Sequence, residues 1–105
     1  MTPVLVLVTA SSAEEAAKIG RALVEQGLAA CANIIPGVTS IYRWQGKVEE
    51  AGEYLLLLKS SREQWEALQA VIQGLHSYEC PEIVAVAPEA ITPAYAAWWR
   101  ESVAG

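Results

Sequence analysis

Two short segments of this chain have no polar side. Val4-Leu-Val-Leu-Val8 and Leu55-Leu-Leu-Leu58 are apolar at every position. A strand with one face in water alternates apolar and polar residues, so a sheet built on these two needs cover on both faces. Between and around them the chain offers little to provide it. The hydrophobic fraction is 53% of 105 residues. A chain of this length hides only about two thirds of its unfolded surface by itself. Surplus apolar surface therefore asks for a partner.

The remaining elements follow from period and punctuation. Val4 to Thr9 is a buried strand, rich in β-branched residues. Ser12-x-x-Glu15 fits a capping box, and Ala16, Ile19, Gly20 and Leu23 form the apolar stripe of a helix that stops near Gly27. Leu28 to Ile35 reads as a second strand. It is interrupted at Pro36-Gly37 and resumes at Val38, with Val38, Ser40, Tyr42 and Trp44 on one side. Gln45-Gly46 reverses the chain, and Lys47 to Lys59 returns, with a second kink expected at Gly52. Ser60 or Ser61 caps a second helix carrying Trp65, Leu68, Ile72 and Leu75 inward. Glu82 to Ala87 is the last core strand. Thr92-Pro93 opens a short terminal helix bearing Tyr95, Trp98 and Trp99, whose aromatic stripe reads as its docking face.

The order β-α-β-β-α-β plus a terminal helix predicts an α+β fold, a ferredoxin-like sandwich with a long β-hairpin, in one domain spanning residues 1–105. Both helices of such a sandwich cover the same side of the sheet. The other side, with the open edges of the long hairpin, predicts a self-associating protein.

Charge and cysteine content narrow the function. The net charge of −5 argues against nucleic acid or an anionic membrane as partner, since both demand a basic face. The start of the chain carries no basic n-region, and Val4–Val8 is too short for a signal h-region or a membrane span, so a cytoplasmic location is expected. Cys31 and Cys80 are too few and too widely spaced for a disulfide framework. Neither a phosphate-binding glycine loop nor a nucleophile elbow is present, and no catalytic set stands out, so the chain is read as a non-enzyme.

Three blocks carry a resemblance. Ala29-Ala-Cys-Ala-Asn-Ile-Ile-Pro-Gly37 with Thr39-Ser-Ile-Tyr-Arg-Trp-Gln-Gly46, then Glu53 to Lys59, then Tyr78-Glu-x-Pro-Glu-Ile83, resemble in order and spacing the CutA divalent-cation tolerance family. The likeness runs from Val4 to about Trp98. It implies a homotrimer whose hairpins pair between subunits, an architecture similar to the PII signalling proteins, and a role in tolerance to divalent cations. For some members it implies copper.

Candidate residues fall into two groups. His76, Glu79, Cys80 and Glu82 share one loop with Tyr78, and imidazole, thiolate and carboxylate are ligands for Cu²⁺ or another divalent cation, held weakly. Against this, His76 at a helix end also suits hydrogen bonding to backbone carbonyls. The resemblance places copper ligands at positions occupied here by Val8, Leu75 and His76, of which only His76 has the chemistry; Ser77 replaces the family's usual proline. The second group is Asn33, Tyr42, Trp44, Glu53, Lys59 and Tyr78, polar or aromatic residues on or beside strands. They suit an inter-subunit pocket for a small ligand or ion, or equally a set of interface hydrogen bonds and ion pairs that fixes the register of the assembly. Tyr42 and Trp44 read best as packing residues, and Cys31 as a small buried hydrophobe.

Overall fold

The computed structural model describes residues 1–104. Its elements are β1 (Pro3–Ala10), α1 (Ala13–Glu25), β2 (Cys31–Trp44), β3 (Lys47–Ser61), a 3₁₀ turn (Arg62–Gln64), α2 (Trp65–Leu75), β4 (Val84–Val86) and α3 (Pro93–Ser102). The sheet is wholly antiparallel in the order β2-β3-β1-β4, the ferredoxin-like arrangement expected.

Alternation along β1 shows where the core lies. Val4, Val6, Val8 and Ala10 are buried, while Pro3, Leu5, Leu7 and Thr9 are half-buried. The buried set meets Leu56 and Leu58 of β3, Ala16, Ile19 and Leu23 of α1, and Leu68 and Ile72 of α2 in one cluster. The opposite face carries Leu5, Leu7, Leu55 and Leu57, and its intrachain cover is α3 at one end. There Trp99 packs beside Leu5 and Ala30 and donates its indole N–H to the Ser60 carbonyl at 2.9 Å.

Close approach of α1 to the sheet depends on Gly20. A Cβ built there would lie 3.0 Å from the Cβ of Ala32, tighter than nine in ten such contacts, and Ala32's Cβ is fixed to the β2 backbone and gives little. Gly20→Ala is expected to destabilise by about 1–3 kcal/mol through overpacking, despite alanine's better helix propensity, measurable as a lowered urea midpoint.

The long hairpin has one irregularity. Ile35 pairs with Leu55 and Val38 with Glu53, so Pro36 and Gly37 of β2 pass against the single residue Tyr54 of β3. Gly37 has φ +76°, a left-handed conformation that suits a bulge residue without a side chain. The extra residue changes parity: Cys31, Asn33 and Ile35 lie on the open face before it, and Val38, Ser40, Tyr42 and Trp44 after it. The kink expected at Gly52 is absent; Gly52 pairs in register with Thr39.

Other boundaries also moved. β2 begins at Cys31 rather than Leu28, because the amides of Leu28 and Ala29 donate to the Leu23 carbonyl and finish α1. β4 is only three residues long, between Pro81 and Pro88. Ser61 precedes the 3₁₀ turn, but its hydroxyl caps nothing and is buried without a partner; Ser60 donates its hydroxyl to the Leu28 carbonyl at 2.6 Å.

Candidate functional site

At the end of β1 the hairpin runs on beyond the sheet, since β1 pairs with β3 only from Tyr54 to Ser61. The loop after α2 crosses this junction. Together they enclose a cleft of about 550 Å³, lined by Thr9, Ser40, Ile41, Tyr42, Trp44, Glu53, Tyr78, Glu79, Cys80 and Glu82. Three carboxylates and a thiol lie in its wall, and among the described residues neither lysine nor arginine does. Tyr42 and Trp44 are each 44% exposed, so in the single chain they form cleft wall rather than the packing expected of them.

Glu53 is the deepest polar group. It is 7% exposed, and one carboxylate oxygen accepts the phenol proton of Tyr78 at 2.8 Å. Burial, that hydrogen bond and the negative charges of Glu53 and Glu15 together push the Tyr78 phenol well above its ordinary range, so it stays a donor.

The loop is held in place from below. Its anchor is Glu15, at the N3 position of α1. The amide of Glu15 donates to the Ser12 hydroxyl at 3.1 Å, the expected half of a capping box. The other half is displaced: the Glu15 carboxylate takes the amide of Ser11 at 2.9 Å and, on its second oxygen, the amide of Ser77 at 2.8 Å. Partial burial opposes ionisation, but the hydrogen bonds from Ser77 and Ser11 outweigh it and lower the carboxyl to about 2. The sequence marked Glu15 as a cap, not as a tether of the distant loop.

His76 occupies the heart of this tether. Its side chain is fully buried. The amide of Tyr78 donates to Nδ1 at 3.1 Å, so Nδ1 presents its lone pair and the proton sits on Nε2, which donates to the Thr9 carbonyl at 2.7 Å. Both ring nitrogens are engaged, and the ring is absent from the cleft lining. Of the loop residues expected to form a metal set with it, Glu79, Cys80 and Glu82 line the cleft, while His76 faces the backbone. Among the described residues no group of three or more His, Cys, Asp or Glu side chains is arranged to hold a metal ion. Val8 lies in the core.

The pocket set divides similarly. Tyr42, Trp44, Glu53 and Tyr78 come together in the cleft. Asn33 and Lys59 belong to a separate cluster on the open face. There the Lys59 ammonium donates to the Asn33 amide oxygen and to the Cys31 sulfur (3.8 Å) and stands 5.9 Å over the Tyr95 ring. Cys31 is thus half-buried in a polar island, not in the core.

Comparison with known proteins places these features in a family. The profile of the CutA1 divalent ion tolerance protein family matches residues 4–102. A divalent-cation tolerance protein CutA from Thermus thermophilus is 48% identical over 98 residues, covering 93% of this chain and 95% of the relative. Protein CutA of Mus musculus is 42% identical over 91 residues, 87% of this chain but 51% of its own length; this chain spans about half of the mammalian relatives it matches. Among solved structures, the Thermus thermophilus divalent cation tolerance protein superposes with a TM-score of 0.95 at 46% identity, covering 97% of this chain and 99% of that one. CutA1 from Oryza sativa does so with 0.95 at 31% identity, covering 99% and 95%. Sequence profile, relatives and superposed structures agree over nearly the whole chain, which belongs to the CutA1 divalent ion tolerance family.

Proposed function

We propose that this chain serves divalent-cation tolerance as a homotrimer, by binding rather than catalysis, and that the Glu53 cleft is its binding site. The observation that carries the reading is the wall of that cleft: Glu53, Glu79, Glu82 and Cys80 with no cationic residue among them. Cu²⁺ or another divalent ion enters this cleft largely hydrated and is held weakly by whichever of the Glu79 and Glu82 carboxylates and the Cys80 sulfur it meets, since the three do not converge on one point. This donor set suits a loosely held ion, not a preformed cage, and His76 takes no part, because its nitrogens serve Thr9 and Tyr78. A second reading, a PII-like module that takes a small ligand at the inter-subunit cleft, is favoured by the size of the space, which exceeds the needs of a bare ion.

Association is supported by the half-buried Leu5, Leu7, Leu55 and Leu57 and by the exposed Ile34, Ile35, Ile41 and Val48 of the hairpin. Light scattering is expected to give a mass of about 34 kDa, three times 11.3 kDa; a mass of one chain would remove the trimer. Calorimetric titration with Cu²⁺ tests the ion. Cys80→Ser combined with Glu82→Gln is expected to weaken binding at least about tenfold, the equivalent of one lost charged contact. His76→Ala loosens the tether of this loop, so it is expected to lower the melting temperature and to weaken the ion less than the Cys80 and Glu82 double substitution does. A loss at His76→Ala larger than that of the double variant would sink this assignment. The cytoplasm is the compartment we assign, checked by fractionation; relatives named for the chloroplast and the periplasm exist in the family.

A further inference from the structure

Glu53 is more than nine-tenths buried as a residue, yet it meets no lysine, arginine or histidine among the described residues. Tyr78 satisfies one of its oxygens; the other accepts no hydrogen bond from the described chain, although the residue lines the cleft. That second oxygen is not sealed from solvent but opens on the cleft, so a ligand there meets an anionic acceptor with no partner from its own chain. Around it stand Tyr42, Trp44 and Tyr78, whose rings present apolar surface with electron-rich faces. The volume of about 550 Å³ falls in the range of small-molecule sites. Carboxylate at the base, aromatic walls and no competing basic residue together define a receptor for charge of one sign attached to an apolar body.

We propose that this cleft takes a primary organic ammonium ion, with its N–H groups on the free oxygen of Glu53 and its hydrocarbon part against Trp44 and Tyr42. The proposal rests on the reading of this cleft as the binding site and adds the ligand class. It uses Glu53 and the aromatic wall, whereas the divalent ion uses Glu79, Cys80 and Glu82, so the two separate by mutation.

The test is calorimetric titration of the intact protein at low ionic strength with benzylammonium chloride, against benzyl alcohol as uncharged isostere and sodium chloride as ionic control, with Cu²⁺ in parallel. Saturable binding of benzylammonium alone is expected. Glu53→Gln keeps an oxygen for the Tyr78 phenol and is expected to weaken binding about tenfold or more. Trp44→Leu, at a position 44% exposed in the single chain, is expected to weaken it about threefold. Melting curves verify that both variants fold, and Trp44→Leu carries the test should Glu53→Gln fail to. Equal binding of benzyl alcohol, or unchanged affinity in the variants, overturns the proposal. So does Cu²⁺ binding without benzylammonium binding: a neighbouring copy's side chain then answers Glu53, and the divalent-ion reading stands. Loss of both removes the cleft as a site altogether.

Discussion

Trp99→Ala is expected to destabilise the protein by about 3–5 kcal/mol, the range for deleting a buried aromatic side chain. Trp99 is 2% exposed and joins the sheet in two ways. Its ring fills the space between Leu5, Ala30 and Val103, and its N–H ties α3 to the Ser60 carbonyl. No other side chain of α3 is buried to this degree, since Tyr95 and Trp98 are 39% and 41% exposed. Removing Trp99 therefore releases the helix as a unit and uncovers its end of the open face. At a fixed protein concentration the melting temperature is expected to fall by more than about 12 °C for a domain of this size. Trp99→Phe keeps most of the buried area and loses the hydrogen bond, so a smaller loss, about 1 kcal/mol from the bond plus a packing defect, is expected. Equal melting of Trp99→Ala and the parent would show that α3 is not held by this residue.

Glu15→Gln is expected to cost about 1–3 kcal/mol at pH 7, with a distinctive pH signature. The carboxyl titrates at about 2 in the fold against an ordinary value of 4.5. A lowered carboxylate adds stability that is whole above the unfolded value and disappears as pH falls through the folded one. The parent should therefore lose this increment between about pH 4.5 and 2, while the variant shows no such loss and the two curves converge at the acid end. Thermal melts at half-unit pH intervals measure it. Parallel curves, displaced equally at every pH, would mean that the carboxylate is valued for its shape and not its charge.

Glu15 also shows how far the sequence could be read. Elements and strand order were legible because local signals agreed: β-branched runs, the Ser12 cap, the Gln45-Gly46 turn and the stripe through Leu68 and Ile72 all point to one fold. The boundaries at Leu28 and Glu82 were not, because they depend on which distant carbonyl an amide finds. The same limit governed the site. Adjacent residues in the 76–82 loop read as one ligand set, but burial turned His76 inward and left Glu79, Cys80 and Glu82 on the cleft. Tyr78 and Glu53 lie 25 residues apart, and only the bulge at Gly37 and the tether to Glu15 explain why phenol and carboxylate meet where Tyr42 and Trp44 also arrive. Ser77 gained meaning the same way: its amide holds Glu15, a contact that proline, without an N–H, cannot make.

The alternation along β1 has a consequence for how damage to this protein should be diagnosed. In a homotrimer, truncating Val6 or Val8 wounds each copy internally, and the penalty is the same however dilute the sample. In that proposed assembly, truncating their neighbour Leu7, on the open face away from α3, weakens association instead, so the defect deepens on dilution and is masked in concentrated stock. Consecutive residues of one strand then answer to different reactions, one unimolecular and one not.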